Sequence, residues 1–264
     1  MKTDREAPVG VFDSGVGGLT VAREIMRNLP SEKIVYFGDT ARVPYGNKSR
    51  ETVIRYSHQI CRFLQEQQVK AIVVACNTAS AFALDAIRDD FDIPIIGVIE
   101  AGAKVAAART RNKRVGIIGT VGTVGSGIHA EYLRKLDPEI TVFGKACPLF
   151  VPLVEEGWLH DPVTTEVAVR YLRELQDKKV DTLILGCTHY PLLRSTIREI
   201  MGEDVCLVNP AYETALELGR LLTEKGLSST GAQQKEFPYR FFVSDLADEF
   251  KEFANSILPY DVEM

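Results

Sequence analysis

Two cysteines occupy matching places in the sequence, each directly after a short run rich in β-branched residues. Cys76 follows the run AIVVA, and Cys187 follows the run DTLILG. A thiol where a strand opens onto a helix N-terminus lies in a field that favours the thiolate. A single cysteine in such a place is usually a small buried core residue. Two of them at matching positions predict a pair of acid/base groups instead.

Such a pair of thiols suits the inversion of a stereocentre by proton transfer. One group removes a proton from one face, the other delivers a proton to the opposite face, and the roles exchange when the handedness of the substrate changes. Nucleophilic catalysis would need one cysteine, and a redox pair would need the two thiols in contact. We therefore expect Cys76 and Cys187 to act as opposed base and acid.

Polar residues follow other predicted strands as well. The segment DSGVGG begins at Asp13 and opens a helix, and its glycines let backbone N–H groups approach an anion. Its spacing is not G-x-G-x-x-G, so a nicotinamide enzyme remains a remote alternative, kept open by Asp39 after the next run. The segment GDTARVPYG is either a plain turn or a substrate contact, and we favour the contact.

His189 lies two residues after Cys187. It could exchange protons with that thiol or stabilise its thiolate, or it could be a capped surface histidine. A metal site at Cys187 and His189 would need further ligands nearby, and the sequence offers none. We therefore expect no metal.

The elements that would position these residues are strands alternating with helices. This alternation predicts parallel sheets built from right-handed βαβ units. The predicted strands are VGVF (9–12), KIVYF (33–37), AIVVA (71–75), IPIIGV (93–98), RVGIIG (114–119), EITVFG (139–144), DTLILG (181–186), VCLV (205–208) and YRFFV (239–243).

The two halves of the chain resemble each other. VGVFDSGVGG at Val9 is matched by VGIIGTVGTVGSG at Val115, an offset of 115 − 9 = 106, and the two cysteines are 187 − 76 = 111 apart. Any two α/β halves share strand composition, but here the loops match too, which favours duplication. Two similar lobes facing each other across a crevice are expected, with the ligand at their strand ends.

The predicted domains follow from this duplication. YRFFV has no counterpart in the second repeat, so the chain should return to the first lobe near residues 209–210. The first lobe is predicted to comprise 1–97 and 209–264, and the second 98–208.

Composition excludes several classes of protein. The 264 residues carry a formal net charge of −5 without a Lys/Arg cluster, so no nucleic-acid partner is expected. The N-terminus does not resemble a secretory signal, and no apolar run reaches the length of a membrane span. The five cysteines include no C-x-x-C pair. A reducing cytosol is the expected compartment.

Six motifs occur together in the order typical of one family: FDSGVGGLTV, GDTARVPYG, ACNTAS, IGTVGT, PLVEEG and GCTHYPLL. Over about residues 9–222 the sequence resembles the glutamate racemases of the aspartate/glutamate racemase superfamily. The resemblance implies two flavodoxin-like lobes with the substrate between them, and racemisation of glutamate without any cofactor. It also implies a homodimer in the bacterial cytoplasm that supplies D-glutamate for peptidoglycan.

The resemblance also assigns roles to individual residues. The family's catalytic cysteines match Cys76 and Cys187. Its auxiliary groups match Asp13, Asp39, His189 and one of Glu155 or Glu156, with Glu155 slightly favoured. Its substrate contacts match Asp13, Ser14, Tyr45, Gly46, Asn77, Thr78, Thr188 and His189, and Thr120 and Thr123 lie in a matching segment that would help to hold a carboxylate. Such hydroxyls and amides would hold two carboxylates without placing a full positive charge against the thiolates.

Two alternatives stay open at this stage. An aspartate racemase would share both cysteines and differ in the depth of its pocket. A non-catalytic binder of an acidic amino acid would need the hydroxyl groups but not two thiols.

Overall fold

The computed structural model of the chain describes residues 4–231, 238–259 and 262. Strands alternate with helices along the described chain, which confirms the predicted α/β class. The strands are β1 (Val9–Asp13), β2 (Ile34–Gly38), β3 (Ala71–Val74), β4 (Ile95–Gly97), β5 (Arg114–Gly119), β6 (Thr141–Ala146), β7 (Thr182–Gly186), β8 (Cys206–Val208) and β9 (Tyr239–Val243). The α-helices are α1 (Leu19–Asn28), α2 (Arg50–Glu66), α3 (Asn77–Phe82), α4 (Leu84–Arg88), α5 (Val98–Arg109), α6 (Val121–Gly125), α7 (Ile128–Leu136), α8 (Phe150–Glu155), α9 (Pro162–Asp177), α10 (Arg194–Met201), α11 (Pro210–Glu224) and α12 (Ala247–Ile257). Short 3₁₀ helices occupy Thr40–Arg42, Tyr45–Asn47 and Tyr190–Leu193.

The chain divides into two compact units, each with its own sheet. One unit consists of Met1–Val98 and Ala211–Met264, and the other of Ile99–Pro210. The strand order is β4-β3-β1-β2-β9 in the first unit and β6-β5-β7-β8 in the second. Every pairing between the described strands is parallel, as the alternation of strands and helices predicts.

The two sheets share one topology. Counted along the chain, the first four strands of each unit lie in the order second, first, third, fourth. This is the order of flavodoxin-like sheets, and it confirms the predicted likeness of the two lobes. β9 has no counterpart in the second unit and lies outside β2, at the edge of the first sheet.

The central strands are buried on both faces. Every residue of β1, β3 and β7 is buried, which explains their nearly continuous apolar sequences. β6 and β9 differ from them, because each lies at an edge of its sheet and all of its residues are partly or fully exposed. The carboxyl ends of the buried central strands therefore rest on a rigid core.

Helix α2, which covers the first sheet, begins after a residue that satisfies one of its free N–H groups. Ser49 caps α2 by accepting a hydrogen bond from the backbone N–H of Thr52 at 3.3 Å. The apolar stripe of α2 then packs on the sheet, with Val53, Ile60 and Leu64 in the core. Among the described residues, no helix combines the length and the apolar character needed to cross a membrane.

Candidate active site

Cys76 lies at the carboxyl end of β3 and caps the following helix. Its side chain is 5% exposed, and its Sγ accepts a hydrogen bond from the backbone N–H of Ala79 at 3.4 Å. The same sulfur lies 3.7 Å from the hydroxyl oxygen of Ser14, to which the thiol can donate. An N–H group directed at sulfur stabilises a thiolate more than a thiol, so this position suits a group that changes protonation state.

The glycine turn after β1 fixes Asp13, the residue before Ser14. The Asp13 carboxylate is buried and accepts a hydrogen bond from the N–H of Gly15 at 3.1 Å. A Cβ at Gly18 would lie 2.4 Å from the Cβ of Asp13, so only glycine fits there. Burial, followed by the charges of Asp13 and Cys76, raises the pKa of Tyr36 well above its usual range. Tyr36 therefore stays neutral and donates to the carbonyl of Gly15 at 2.8 Å.

Asp39, after β2, is fully buried and organises the loop that follows it. Arg42 approaches its carboxylate at 2.8 Å, Ser244 donates to it at 2.9 Å, and the Tyr45 hydroxyl also donates to it. Burial, reinforced by the Asp39 charge and this hydrogen bond, raises the pKa of Tyr45. Tyr45 is therefore a neutral donor, and Gly46 follows it in the same 3₁₀ turn.

Cys187, at the carboxyl end of β7, has a different set of neighbours. Its Sγ lies 3.8 Å from Nδ1 of His189, and Nε2 of His189 lies 3.0 Å from Oε1 of Glu155. Of the two acids weighed from the sequence, Glu155 is thus the one that contacts His189. The backbone beyond Cys187 enters a 3₁₀ helix containing Pro191 rather than an α-helix, so the expected helix N-terminus is absent at this thiol.

The protonation of His189 follows from these contacts. Burial by itself would lower the pKa of His189, but the hydrogen bonds and charges of Cys187 and Glu155 outweigh it and raise the pKa to about 10. His189 is thus an imidazolium held between a sulfur and a carboxylate at neutral pH. The sulfur of Cys187 therefore faces a charged ring at 3.8 Å.

The remaining candidates also lie at strand ends. Thr120 caps α6, with its hydroxyl oxygen 3.1 Å from the N–H of Thr123. Thr78 and Thr188 directly follow Asn77 and Cys187, and both are buried. Asn77 is 4% exposed, and its Oδ1 has no hydrogen-bond partner among the described residues. A buried oxygen of this kind is a ready acceptor for a ligand donor.

A model of the family described as Asp/Glu/Hydantoin racemase matches residues 16–216. The chain belongs to this family. It is 51% identical to a glutamate racemase of Geobacter metallireducens over 95% of this chain and 92% of that one. As a member of a racemase family, the chain is an isomerase.

Solved structures give the same result. A glutamate racemase isoform from Bacillus anthracis superposes with a TM-score of 0.94 at 42% identity, covering 98% of this chain and 96% of that one. A glutamate racemase from Francisella tularensis, solved in complex with D-glutamate, gives a TM-score of 0.91 at 40% identity over the same shares. The resemblance drawn from the six sequence motifs is thereby confirmed.

The racemase gathers its sequence-predicted residues into two groups. In the first unit Ser14 contacts Cys76 and follows Asp13 in the chain, and the backbone N–H of Asp39, which accepts from Tyr45, donates to the carbonyl of Asp13 at 3.1 Å. Cys187, His189 and Glu155 form a chain in the second unit, with Thr188 between the first two in sequence and Thr120 and Thr123 at the neighbouring end of β5.

Sequence reasoning missed Tyr36 and Ser244. Tyr36 reads as an ordinary strand residue, and its contact with the glycine turn depends on the pairing of β1 with β2. Ser244 is 205 residues from Asp39, so no local pattern could link them. Both residues act on the site through contacts that only the fold creates.

Proposed function

We propose that this racemase interconverts L- and D-glutamate by moving the α-proton between Cys76 and Cys187 without a cofactor. The observation that carries the proposal is the matched position of the two thiols, each at the end of the third strand of a unit with the same strand order. The relatives named glutamate racemase support glutamate as the substrate.

The reaction needs two groups on opposite faces of the α-carbon. One thiolate takes the α-proton, and the electron pair of the broken C–H bond spreads into the α-carboxylate as an enolate-like anion. The second thiol then gives its proton to the opposite face and becomes the thiolate. After one turnover the two sulfurs have exchanged protonation states, which prepares the enzyme for the opposite enantiomer.

The polar residues around the thiols suit the charges of glutamate. The Oδ1 of Asn77, which no group in the described part of the chain bonds, can accept from the substrate ammonium group. Hydroxyls of Ser14, Thr78 and Thr188 can donate hydrogen bonds to carboxylates. These hydrogen bonds strengthen as negative charge grows on the α-carboxylate. These donors are neutral, so they bind the carboxylates without placing a full positive charge against the thiolates.

The assay that tests the substrate uses purified protein dialysed against a chelator with a reductant present. Each enantiomer of glutamate and aspartate is followed by circular dichroism. We expect glutamate to lose its optical activity at a rate unaffected by dialysis, and aspartate to do so far more slowly or not at all. Preference for aspartate, or activity that returns only with added metal or pyridoxal phosphate, would overturn the proposal.

Turnover in heavy water tests the two-thiol mechanism. The proton removed stays on the first sulfur, whereas the proton delivered comes from a second sulfur that has equilibrated with solvent. Early product should therefore carry deuterium at the α-carbon, while recovered substrate is labelled more slowly. Early product that retains mostly the original hydrogen, measured by mass spectrometry, would indicate a single base.

We propose further that the product D-glutamate serves peptidoglycan synthesis in a bacterial cytoplasm, with the enzyme acting as a homodimer. Family membership supports both points. Expression of the chain in a bacterial strain that requires D-glutamate should restore growth, and a Cys76→Ala chain should not. Light scattering of the purified protein measures the oligomer directly, and a monomeric mass under assay conditions would contradict the dimer.

A further inference from the structure

The residues that follow β9 are bonded to the loop that follows β2. Ser244 donates its backbone N–H to the carbonyl of Gly38 at 3.1 Å and its hydroxyl to Asp39 at 2.9 Å. The same hydroxyl oxygen accepts from the backbone N–H of Ala41 at 2.9 Å. Thr40 is held in the same way, because its hydroxyl oxygen accepts from the N–H of Asp245 at 2.9 Å and its hydroxyl donates to the Asp245 carbonyl.

This attachment exists because β9 extends the first sheet beyond its four repeated strands. β9 pairs with β2 in parallel, with Val243 beside Gly38, so both strands end at the same edge. β6, the counterpart of β2 in the second unit, has no strand on its outer side among the described residues. The attachment of this loop is thus specific to the first unit.

We propose that Ser244 is a positioning residue for the binding of glutamate, acting through Asp39 on the loop that carries Tyr45 and Gly46. The inference rests on the function proposed above and on the family resemblance of the sequence, which matches Tyr45 and Gly46 to substrate contacts. Ser244 does not contact the substrate itself. It fixes the direction of the Asp39 carboxylate, which in turn accepts the hydroxyl hydrogen of Tyr45.

The energetics indicate a moderate effect. Asp39 is fully buried and receives hydrogen bonds from Arg42, Tyr45 and Ser244. Ser244 itself is exposed, so water can replace part of its hydrogen bond when the hydroxyl is removed. A carboxylate introduced at position 244 would repel the buried charge of Asp39, and a water molecule cannot compensate for that repulsion.

The test is a set of three substitutions at one position. Ser244→Ala should raise KM for glutamate about tenfold, the effect expected for one hydrogen bond to a charged group, and leave kcat within about twofold. Ser244→Asp should raise KM further, and Ser244→Thr, which keeps the hydroxyl, should restore the original KM. Ser256→Ala is the matched control, because its hydroxyl bonds only to Phe253 within α12 among the described residues.

The kinetic pattern separates positioning from plain structural support. A merely structural role would lower the melting temperature without changing KM, and Ser244→Thr would then rescue stability alone. Wild-type KM in both Ser244→Ala and Ser244→Asp, or a fall in kcat at constant KM, would overturn the inference.

Binding of D-glutamate by calorimetry provides a second readout that does not require turnover. If the wild-type chain binds D-glutamate but does not racemise it, the proposed function fails while the Kd series still tests Ser244. A tenfold weaker Kd in Ser244→Ala would then support the positioning role, and an unchanged Kd would refute it. A wild-type chain that binds no glutamate would refute both.

Discussion

The two thiols lie at equivalent strand ends but in different electrostatic surroundings. Cys76 contacts two neutral groups, the N–H of Ala79 and the hydroxyl of Ser14, and the buried carboxylate of Asp13 lies one residue before Ser14 in the same turn. Cys187 faces the ring of His189, which is backed by the carboxylate of Glu155. The shared strand order thus places the two sulfurs at equivalent positions, while the residues around them differ.

This difference has a defined kinetic consequence. The equilibrium constant of a racemisation is unity by symmetry, so kcat/KM must be equal in both directions in every variant. The unequal surroundings of the two sulfurs can therefore make kcat and KM differ between the two directions, but not kcat/KM. A substitution near one thiol should change the kcat of the two directions by different factors. The two KM values should then differ by the same ratio, so that kcat/KM changes equally in both directions.

The largest expected effect comes from removing either sulfur. Cys76→Ala and Cys187→Ala should each reduce racemisation in both directions by about a hundred- to ten-thousand-fold, the usual contribution of one positioned proton-transfer group. Initial rates with L- and D-glutamate measure this loss, and circular dichroism checks that each variant is folded.

The control is Cys206→Ala, which removes a half-buried thiol from β8 in the same unit as Cys187. It should keep nearly full activity. Near-normal rates in either Cys76→Ala or Cys187→Ala would remove the basis for comparing the two sites.

The next effect distinguishes the partners of the two sulfurs. His189→Asn removes a charged neighbour of Cys187, and a hydrogen bond to a charged group contributes about 1.5–3 kcal/mol, or roughly 10- to 150-fold in kcat/KM. Ser14→Ala removes a neutral neighbour of Cys76, for which about 2- to 10-fold is expected. Steady-state kinetics in both directions would show whether the order is reversed, which would contradict the contrast drawn above.

Much of this arrangement could be predicted from sequence, because local composition determines strands and the thiols follow them directly. The predicted bounds of RVGIIG and YRFFV match β5 and β9, whereas the predicted strand EITVFG (139–144) begins and ends two residues before β6. β6 is an exposed edge strand, so a change from buried to exposed residues does not define its two ends clearly. The 3₁₀ helix after Cys187 and the bond from Ser244 to Asp39 could not be predicted, since tertiary packing decides both.

The pH dependence of His189 tests the charged partner of Cys187. An unfolded histidine titrates near pH 6.5, whereas folded His189 keeps its proton to about pH 10. The charged ring therefore stabilises the fold fully below about pH 6.5, and this contribution is lost as the pH rises towards 10. Glu155→Gln removes a carboxylate that raises this pKa, so the contribution should shrink and be exhausted at a lower pH.

NMR titration of the ring protons measures this pKa directly. The chain has four histidines, so only four sets of ring signals need to be assigned. His129 provides the internal control. It is buried in the same unit, its ring nitrogens have no hydrogen-bond partner among the described residues, and burial lowers its pKa to about 4. The pKa of His129 should not change in Glu155→Gln, and an unchanged pKa of His189 would show that Glu155 does not stabilise the imidazolium.

The smallest expected effect concerns the residue before each cysteine. Ala75 and Gly186 are equivalent, since 186 − 75 = 111 is also the offset of the cysteines. A Cβ at Gly186 would lie 2.7 Å from the backbone oxygen of Ile118 on the paired strand β5, which a side-chain rotation cannot relieve. Gly186→Ala should therefore push β7 away and lower the free energy of unfolding by about 1–3 kcal/mol, measured by urea denaturation.

Gly125→Ala is the matched control, because a Cβ there meets nothing within 4 Å and the residue lies in α6. It should leave stability unchanged or raise it by up to about 1 kcal/mol. The displaced strand in Gly186→Ala carries Cys187 as its next residue, so activity should fall further than stability alone explains, since a misplaced catalytic group is costly. A Gly186→Ala chain as stable and active as the wild type would mean that the second strand end tolerates a methyl group as the first does. The two units would then differ in their charged partners but not in the packing behind their sulfurs.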